Sequence, residues 1–418
     1  MERVVITGLG VVTALGNTLG EFEKNLREGR SGIAYHEDLE NFRCQVAGIP
    51  EATDTLAEVY FPKNRLAYMD DVNRYGCIAA VKAWEDAGLE VPPLGEGPPD
   101  WDSGAVIGSG SHAGHRALAE DLSPAVVSGN VRRLGAKHVH RTLSEGIVAR
   151  TAEFLGLGNK VIAASSTSAT GLAAILDGVR HIQHGYADRM VCGGAEGSGP
   201  YAWAALDAVR VTAKGYKDEP HKASRPMSKS ATGLVPSGGA GVVVLERLES
   251  AERRGARIYA EVLGHHTNCG AQREGGSMTA PNLNAVQRCI RKALVNAKIR
   301  PLDVSFINGH LTGTMADALE VRCWREVYGD SDLPYIHSTK SLLGHTLQAA
   351  GGIEVAACCL MLRGDFIHPS INCEDPIPEI EDQRVPHQTE EKPLYIALKA
   401  NFGFGDVNSV IVLRKWEK

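Results

Sequence analysis

The chain has 418 residues, 43% hydrophobic and 22% charged, with a formal net charge of −6. That is globular material, long enough for one large or two medium cores. No basic tail or aromatic-interleaved basic stripe argues for nucleic acid, and no apolar run approaches the roughly 20 residues of a membrane span. The nine cysteines are scattered and lack CxxC spacing, so they read as reduced thiols rather than a disulfide frame or zinc site. The opening stretch enters a strand pattern directly, without a charged and then apolar leader, so a cytoplasmic protein is expected.

Strand-like and helix-like runs alternate along the chain, the pattern of an α/β protein. "RVVITGLGVV" reads as the first strand and "TLGEFEKNLREG" as the first helix. "SGAVIGSGS", "KVIAASS" with a helix behind it, "ADRMVCGGAEG" and "GAGVVVLERL" complete a first half. The order then repeats: "RIYAEVLGHH", the helix "NLNAVQRCIRKALVNA", "VSFINGHLTGT", "PYIHSTKSLLGHT", the helix "LQAAGGIEVAACCLML", "PLYIALKANFGFG" and "VNSVIVLRKW". Two related halves are predicted, 1–250 and 251–418. The helix from Leu347 is apolar nearly all round, which places it between layers, and two sheets with helices trapped between them are expected. Residues 35–75 and 195–235 are polar and irregular, suited to a cavity mouth or partner interface. "GSGSHAG" at 108–114 is one residue too long for a dinucleotide fingerprint, a weak signal by itself.

Three turns after strand runs carry polar groups in apolar surroundings. They hold Ser165 at the head of "STSATGLAAIL", then His310, Thr312 and Thr314 in "NGHLTGT", then Lys340 and His345 in "STKSLLGHT". Groups at strand carboxyl ends of an open α/β sheet face a common crevice. A hydroxyl, two histidines and a lysine converging there suit acyl transfer or carbanion chemistry. The plainer readings are a packing or N-cap serine at 165 and an ion pair between Lys340 and Glu320.

These stretches together resemble the β-ketoacyl-acyl-carrier-protein synthases, the condensing enzymes of the thiolase fold, over essentially the whole length. "VVITGLGVVTALGNTLGEFEKNLREGRSGI", "MDDVNRYGCIAAVKAWEDAGLE", "STKSLLGHTLQAAGGIEVAACCLML" and "NFGFGDVNS" are similar to family motifs and stand in the family's order. The resemblance implies a five-layered α-β-α-β-α arrangement of duplicated halves. It implies Ser165 at the position of the nucleophilic Cys, His310 and His345 acting on a malonyl group, and Lys340 ordering the site with Glu320 as its acidic partner. It further implies Thr312 and Thr314 gripping a phosphopantetheine arm, and Phe404 as the gating residue whose N–H joins an oxyanion hole.

No metal, nucleotide or flavin is implied; the phosphopantetheine comes on acyl carrier protein. Lys63, Arg65, Arg132, Arg133 and Lys137 are candidates for docking that acidic partner. Dimerisation through "KVIAASS" is expected, as a homodimer or with a related subunit.

The family pattern also breaks. Serine replaces the nucleophilic Cys, and a hydroxyl is far more basic than a thiol of pKa about 8.5. The acidic stretch before "GAG" reads "SATGLVPSGGAG", one residue is missing after His310, and Asp406 and Val407 follow "FGFG" where the family has Gly and Thr. Four readings stay open: a natural serine nucleophile, a serine introduced into an ordinary synthase, a non-elongating chain-length-factor-type partner, and a malonyl decarboxylase that forms a primer.

Overall fold

The computed structural model describes residues 1–109, 114–381 and 384–417. Residues 110–113 of the glycine stretch discussed above lie outside the described residues. The strands that matter are β1 (Val4–Val12), β2 (Ser103–Gly108), β3 (Val161–Ile162), β4 (Arg189–Glu196) and β5 (Gly239–Arg247) in the first half. The second half supplies β6 (Ala260–Cys269), β7 (Phe306–Asn308), β8 (Tyr335–His337), β9 (Ile396–Gly403) and β10 (Val407–Lys415).

These ten strands form one sheet in the order β8-β7-β9-β10-β6-β1-β5-β4-β2-β3. Read outward from the centre, each half carries the same order: its first, fifth, fourth, second and third strands. Pairing repeats as well. The second strand of each half is parallel to both neighbours, whereas the fifth is antiparallel to both. The sequence pattern suggested two separate sheets. They are instead continuous, joined where Val5 and Ile6 of β1 oppose Glu261 and Ala260 of β6.

Five helices matter here: α1 (Asp71–Asp86), α2 (Thr170–Gln183), α3 (Leu283–Ala297), α4 (Ala316–Tyr328) and α5 (Ala350–Gly364). Helices α2 and α5 pack against each other between the half-sheets; α1 covers one outer face, and α3 with α4 the other. The buried hydrophobic residues follow these layers: one large cluster around α2 and α5, and one under each outer face. Enclosed by the layers on every side, α5 has no need of a solvent-facing polar stripe, and its residues from Ala350 to Leu362 are all buried. The two central helices touch through glycine: a Cβ on Gly351 would sit 2.1 Å from the Leu172 nitrogen. A side chain there forces the layers apart.

Candidate active site

The carboxyl ends of β7, β8 and β9 and the turn before α2 surround a cavity of about 470 Å³. Its wall includes Ser168, His310, Thr312, Thr314, His345 and Phe404. Most of the rest of the lining is apolar, including Leu206, Val211 and Leu234 from the irregular 195–235 segment.

Ser165 is not part of this wall. It is exposed, just beyond the edge strand β3, and does not line the cavity. The hydroxyl at the site is Ser168, whose Oγ lies 2.9 Å from His345 Nε2. Ser168 belongs to the single 3₁₀ turn Thr167–Ala169 that leads into α2. Thr167 has a positive φ of 49° and is pinned by its Oγ1–H donating to the Phe404 carbonyl at 3.0 Å. The serine therefore stands at a helix start, where main-chain N–H groups lack intrahelical partners and the macrodipole is positive. The sequence did carry a signal for it. In the family that the chain resembles, the nucleophile stands in an Ala-Cys-x-x-(Ser/Gly) context; Ser168-Ala169-Thr170-Gly171 fits its Cys-x-x-Gly part, but Ala164 before Ser165 fits its alanine and draws the register three residues too early.

The two histidines face each other with ring centroids 5.2 Å apart, nearly edge to face. Their proton positions follow from their partners. His345 Nδ1 accepts the Leu347 N–H at 3.2 Å, so the neutral ring carries its proton on Nε2 and donates it to Ser168. His310 Nδ1 faces Asn401 Nδ2 at 3.3 Å. That amide is oriented by the Glu354 carboxylate, which its Nδ2 meets at 3.0 Å. His310 thus also turns an Nε2–H donor toward the cavity. Burial first, and then the nearby Lys340 ammonium, hold both imidazoles well below their ordinary pKa, in the neutral form.

Lys340 is buried, but its partner is not Glu320. Its Nζ pairs with Glu354 Oε1 on α5 at 2.5 Å. The other Glu354 oxygen pairs with Lys399 Nζ of β9 at 2.7 Å. Burial pushes the Glu354 carboxyl up, yet the two ammoniums outweigh it and hold the pKa down to about 2. Glu354, Lys399 and Asn401 join Ser168 as members of this site that the sequence motifs did not single out. A lone carboxylate inside an otherwise apolar buried run, 350–362, was the available signal, because a buried charge requires a partner.

Glu320 has a different task. From the second turn of α4 it accepts the backbone N–H groups of His310 and Leu311, both at 2.8 Å, and Trp324 Nε1 at 3.1 Å. Burial raises its pKa to about 7. Leu311 stands where the His-Gly-Thr-Gly-Thr motif of the family that the chain resembles has its first Gly, and takes a φ of 25°, a conformation costing on the order of 1–3 kcal/mol that the Glu320 bond helps to hold. Asp317 closes the same loop by accepting the N–H groups of Thr312 and Gly313. The Thr312 and Thr314 hydroxyls, 3.0 Å apart, line the cavity together. Opposite them, Phe404 is carried on the β9–β10 turn. Asp406, at a φ of 65°, accepts the N–H groups of Gln272 and Asn282 and ties that turn to the 270–282 loop.

A duplicated five-layer fold with a hydroxyl and two neutral imidazole donors around an apolar cavity defines a thiolase-like condensing-enzyme architecture. Residues 1–251 match the family profile "Beta-ketoacyl synthase, N-terminal domain" and residues 259–374 match "Beta-ketoacyl synthase, C-terminal domain". Among relatives, 3-oxoacyl-[acyl-carrier-protein] synthase 2 of Vibrio harveyi is 34% identical, covering 99% of both chains. Synthase 1 of Escherichia coli (strain K12) is 33% identical, again over 99% of each. Among solved structures, the ishigamide ketosynthase/chain length factor superposes with a TM-score of 0.89 at 28% identity, covering 100% of each chain. AntDE:AntF, a type II polyketide acyl-carrier protein in complex with its ketosynthase, gives 0.88 at 29% identity over 99% of this chain and 100% of that one. The chain belongs to the β-ketoacyl synthase family.

Proposed function

We propose that this protein catalyses decarboxylative condensation of thioesters borne on acyl carrier protein, using Ser168 as the acyl acceptor. The pair of neutral Nε2–H donors, His310 and His345, facing one cavity with Ser168 carries the reading. In the first half-reaction the Ser168 oxygen bonds to the acyl carbonyl, the thioester C–S bond breaks, and the sulfur leaves as a thiol with the serine proton. The main-chain N–H groups of Ser168 and Phe404 serve as the oxyanion donors, a kind of contact whose loss costs about 3–4 kcal/mol of barrier. In the second half-reaction the malonyl C–C bond breaks, carbon dioxide leaves, and the enolate oxygen receives the two imidazole N–H bonds. The enolate carbon attacks the Ser168 ester carbonyl, the acyl C–Oγ bond breaks as the β-ketoacyl thioester forms, and the serine oxygen recovers a proton from solvent. No metal or bound cofactor enters any step: Thr312 and Thr314 suit the phosphopantetheine arm that the carrier brings.

Lys63, Arg132, Arg133 and Lys137 are exposed and suit an acidic carrier, while Arg65 is engaged with Glu153 at 2.8 Å. The edge strand β3 leaves Ile162 47% exposed, which supports pairing with a second synthase-like chain there. Among the described residues no helix is long and apolar enough to cross a membrane. A cytoplasmic setting is part of the proposal.

One observation favours a second reading, malonyl decarboxylation alone. His345 offers Ser168 a proton rather than a lone pair, so Ser168 has no free base, whereas decarboxylation needs only the donors. The deciding assay supplies acyl- and malonyl-carrier protein and measures both carbon dioxide and β-ketoacyl product. Both together support condensation. Carbon dioxide alone supports the decarboxylase, and neither until a second synthase-like chain is added supports a partner subunit.

A further inference from the structure

The buried Lys399 stands on β9 two residues before Asn401, and the chemistry above leaves its head group without a task. Its Nζ donates to the carbonyls of Asn308 at 3.4 Å and Gly309 at 3.3 Å, the two residues directly before His310, and to its neighbour Ala400. The same Nζ pairs with Glu354 Oε2 at 2.7 Å, the oxygen that orients Asn401 against His310 Nδ1. One ammonium therefore reaches His310 from two sides: through the strand end that carries it, and through the amide that sets its tautomer. With Lys340 and Lys399 sharing the single Glu354 carboxylate, the buried set keeps a net positive charge beneath the cavity.

We propose that Lys399 is a positioning residue for malonyl decarboxylation: it fixes His310 with its Nε2–H directed into the cavity and leaves a positive charge where the enolate develops. The inference rests on the malonyl chemistry proposed above. The groups facing His310 agree with it. Lys340, His345 and Lys399 all act with burial to keep the imidazole neutral, and Glu354 faces it only through Asn401. Glu320 meets its backbone N–H rather than the ring. A fixed donor and a nearby cation strengthen an interaction made only as the charge forms, so their loss falls on kcat rather than on substrate binding.

The test compares the full-length protein with Lys399→Met, a neutral side chain of similar length that leaves Lys340 paired with Glu354. Carbon dioxide release from malonyl-pantetheine gives kcat and KM, and the His310 resonance of [13Cε1]-histidine-labelled protein, identified by its loss in His310→Gln, gives the titration. The expected result is a fall in kcat of about tenfold with KM within about twofold, and a His310 midpoint higher by about one pH unit. An unchanged kcat, or a fall in kcat with unaltered His310 titration, overturns the proposal. If the wild-type protein releases no carbon dioxide, the functional reading fails, and the His310 titration still decides what Lys399 does. If Lys399→Met does not fold, the wild type decides: imidazole 15N shifts at pH 6 must show neutral His310 protonated on Nε2, and either an Nδ1–H tautomer or an imidazolium overturns the assignment.

Discussion

Replacing Glu354 by Gln is the most informative single perturbation of the framework beneath the site. Lys340, Glu354 and Lys399 are no more than 2% exposed, and the carboxylate is 2.5 Å from one ammonium and 2.7 Å from the other. The set carries a net charge of +1 (two lysines less one glutamate). Glu354→Gln raises it to +2 and leaves both ammoniums without a counter-ion, a change that costs about 3–5 kcal/mol. Lys399→Met lowers it to zero and strands no charge, so its cost stays below about 2 kcal/mol, mostly lost hydrogen bonds. Urea unfolding followed by tryptophan fluorescence reads both variants, since Trp203 and Trp324 are buried. The order of the two midpoints is the test. A Lys399→Met variant as destabilised as Glu354→Gln would refute the charge argument and leave packing as the explanation.

Other expectations concern the surrounding residues. Glu320, raised to about 7 from an ordinary 4.5 by burial, binds a proton more tightly folded than unfolded. Its contribution therefore falls as pH rises between about 4.5 and 7, and Glu320→Gln should flatten that limb of a stability-against-pH curve. Glu354, depressed to about 2, contributes stability that is present above about pH 4.5 and lost as pH falls toward 2. Asp406→Gly retains a residue that accepts a φ of 65°, so the protein should still fold, with a loss of about 3 kcal/mol for the two hydrogen bonds removed. The amides of Gln272 and Asn282 should then exchange with deuterium at least about tenfold faster, as released from a hydrogen bond worth about 1.4 kcal/mol. Ile162→Lys should abolish assembly at β3, read by sedimentation velocity; an unaltered oligomer would place the interface elsewhere.

Much of the architecture was legible from pattern because the layers impose it. Strands buried on both faces read as continuous apolar runs, as β1 does, and α5, apolar nearly all round, announced a helix between sheets. The histidines, threonines, Lys340 and Phe404 were legible because each sits at a turn after a strand. What failed was local. Four consecutive hydroxyl residues, Ser165 to Ser168, present the same chemistry at every step, and only the geometry of the turn selects the one that faces His345. The Lys340 partner failed for a different reason: Glu320 is near in sequence to His310, whereas Glu354 reaches Lys340 through the packing of α5 against the turn after β8. Continuity between the half-sheets rests on two residue pairs, too short a contact to leave a mark in the pattern.

The central claim is that acyl transfer proceeds through Ser168, and one measurement tests it directly. Trypsin cuts after Lys160 and Arg180, so one peptide, residues 161–180, contains both serines at issue. The protein is incubated with hexanoyl-pantetheine, digested, and the peptide fragmented by tandem mass spectrometry. The account predicts a hexanoyl adduct localised to Ser168, retained in Ser165→Ala and absent from Ser168→Ala. An adduct on Ser165, or no adduct from a protein that still forms β-ketoacyl product, would contradict it.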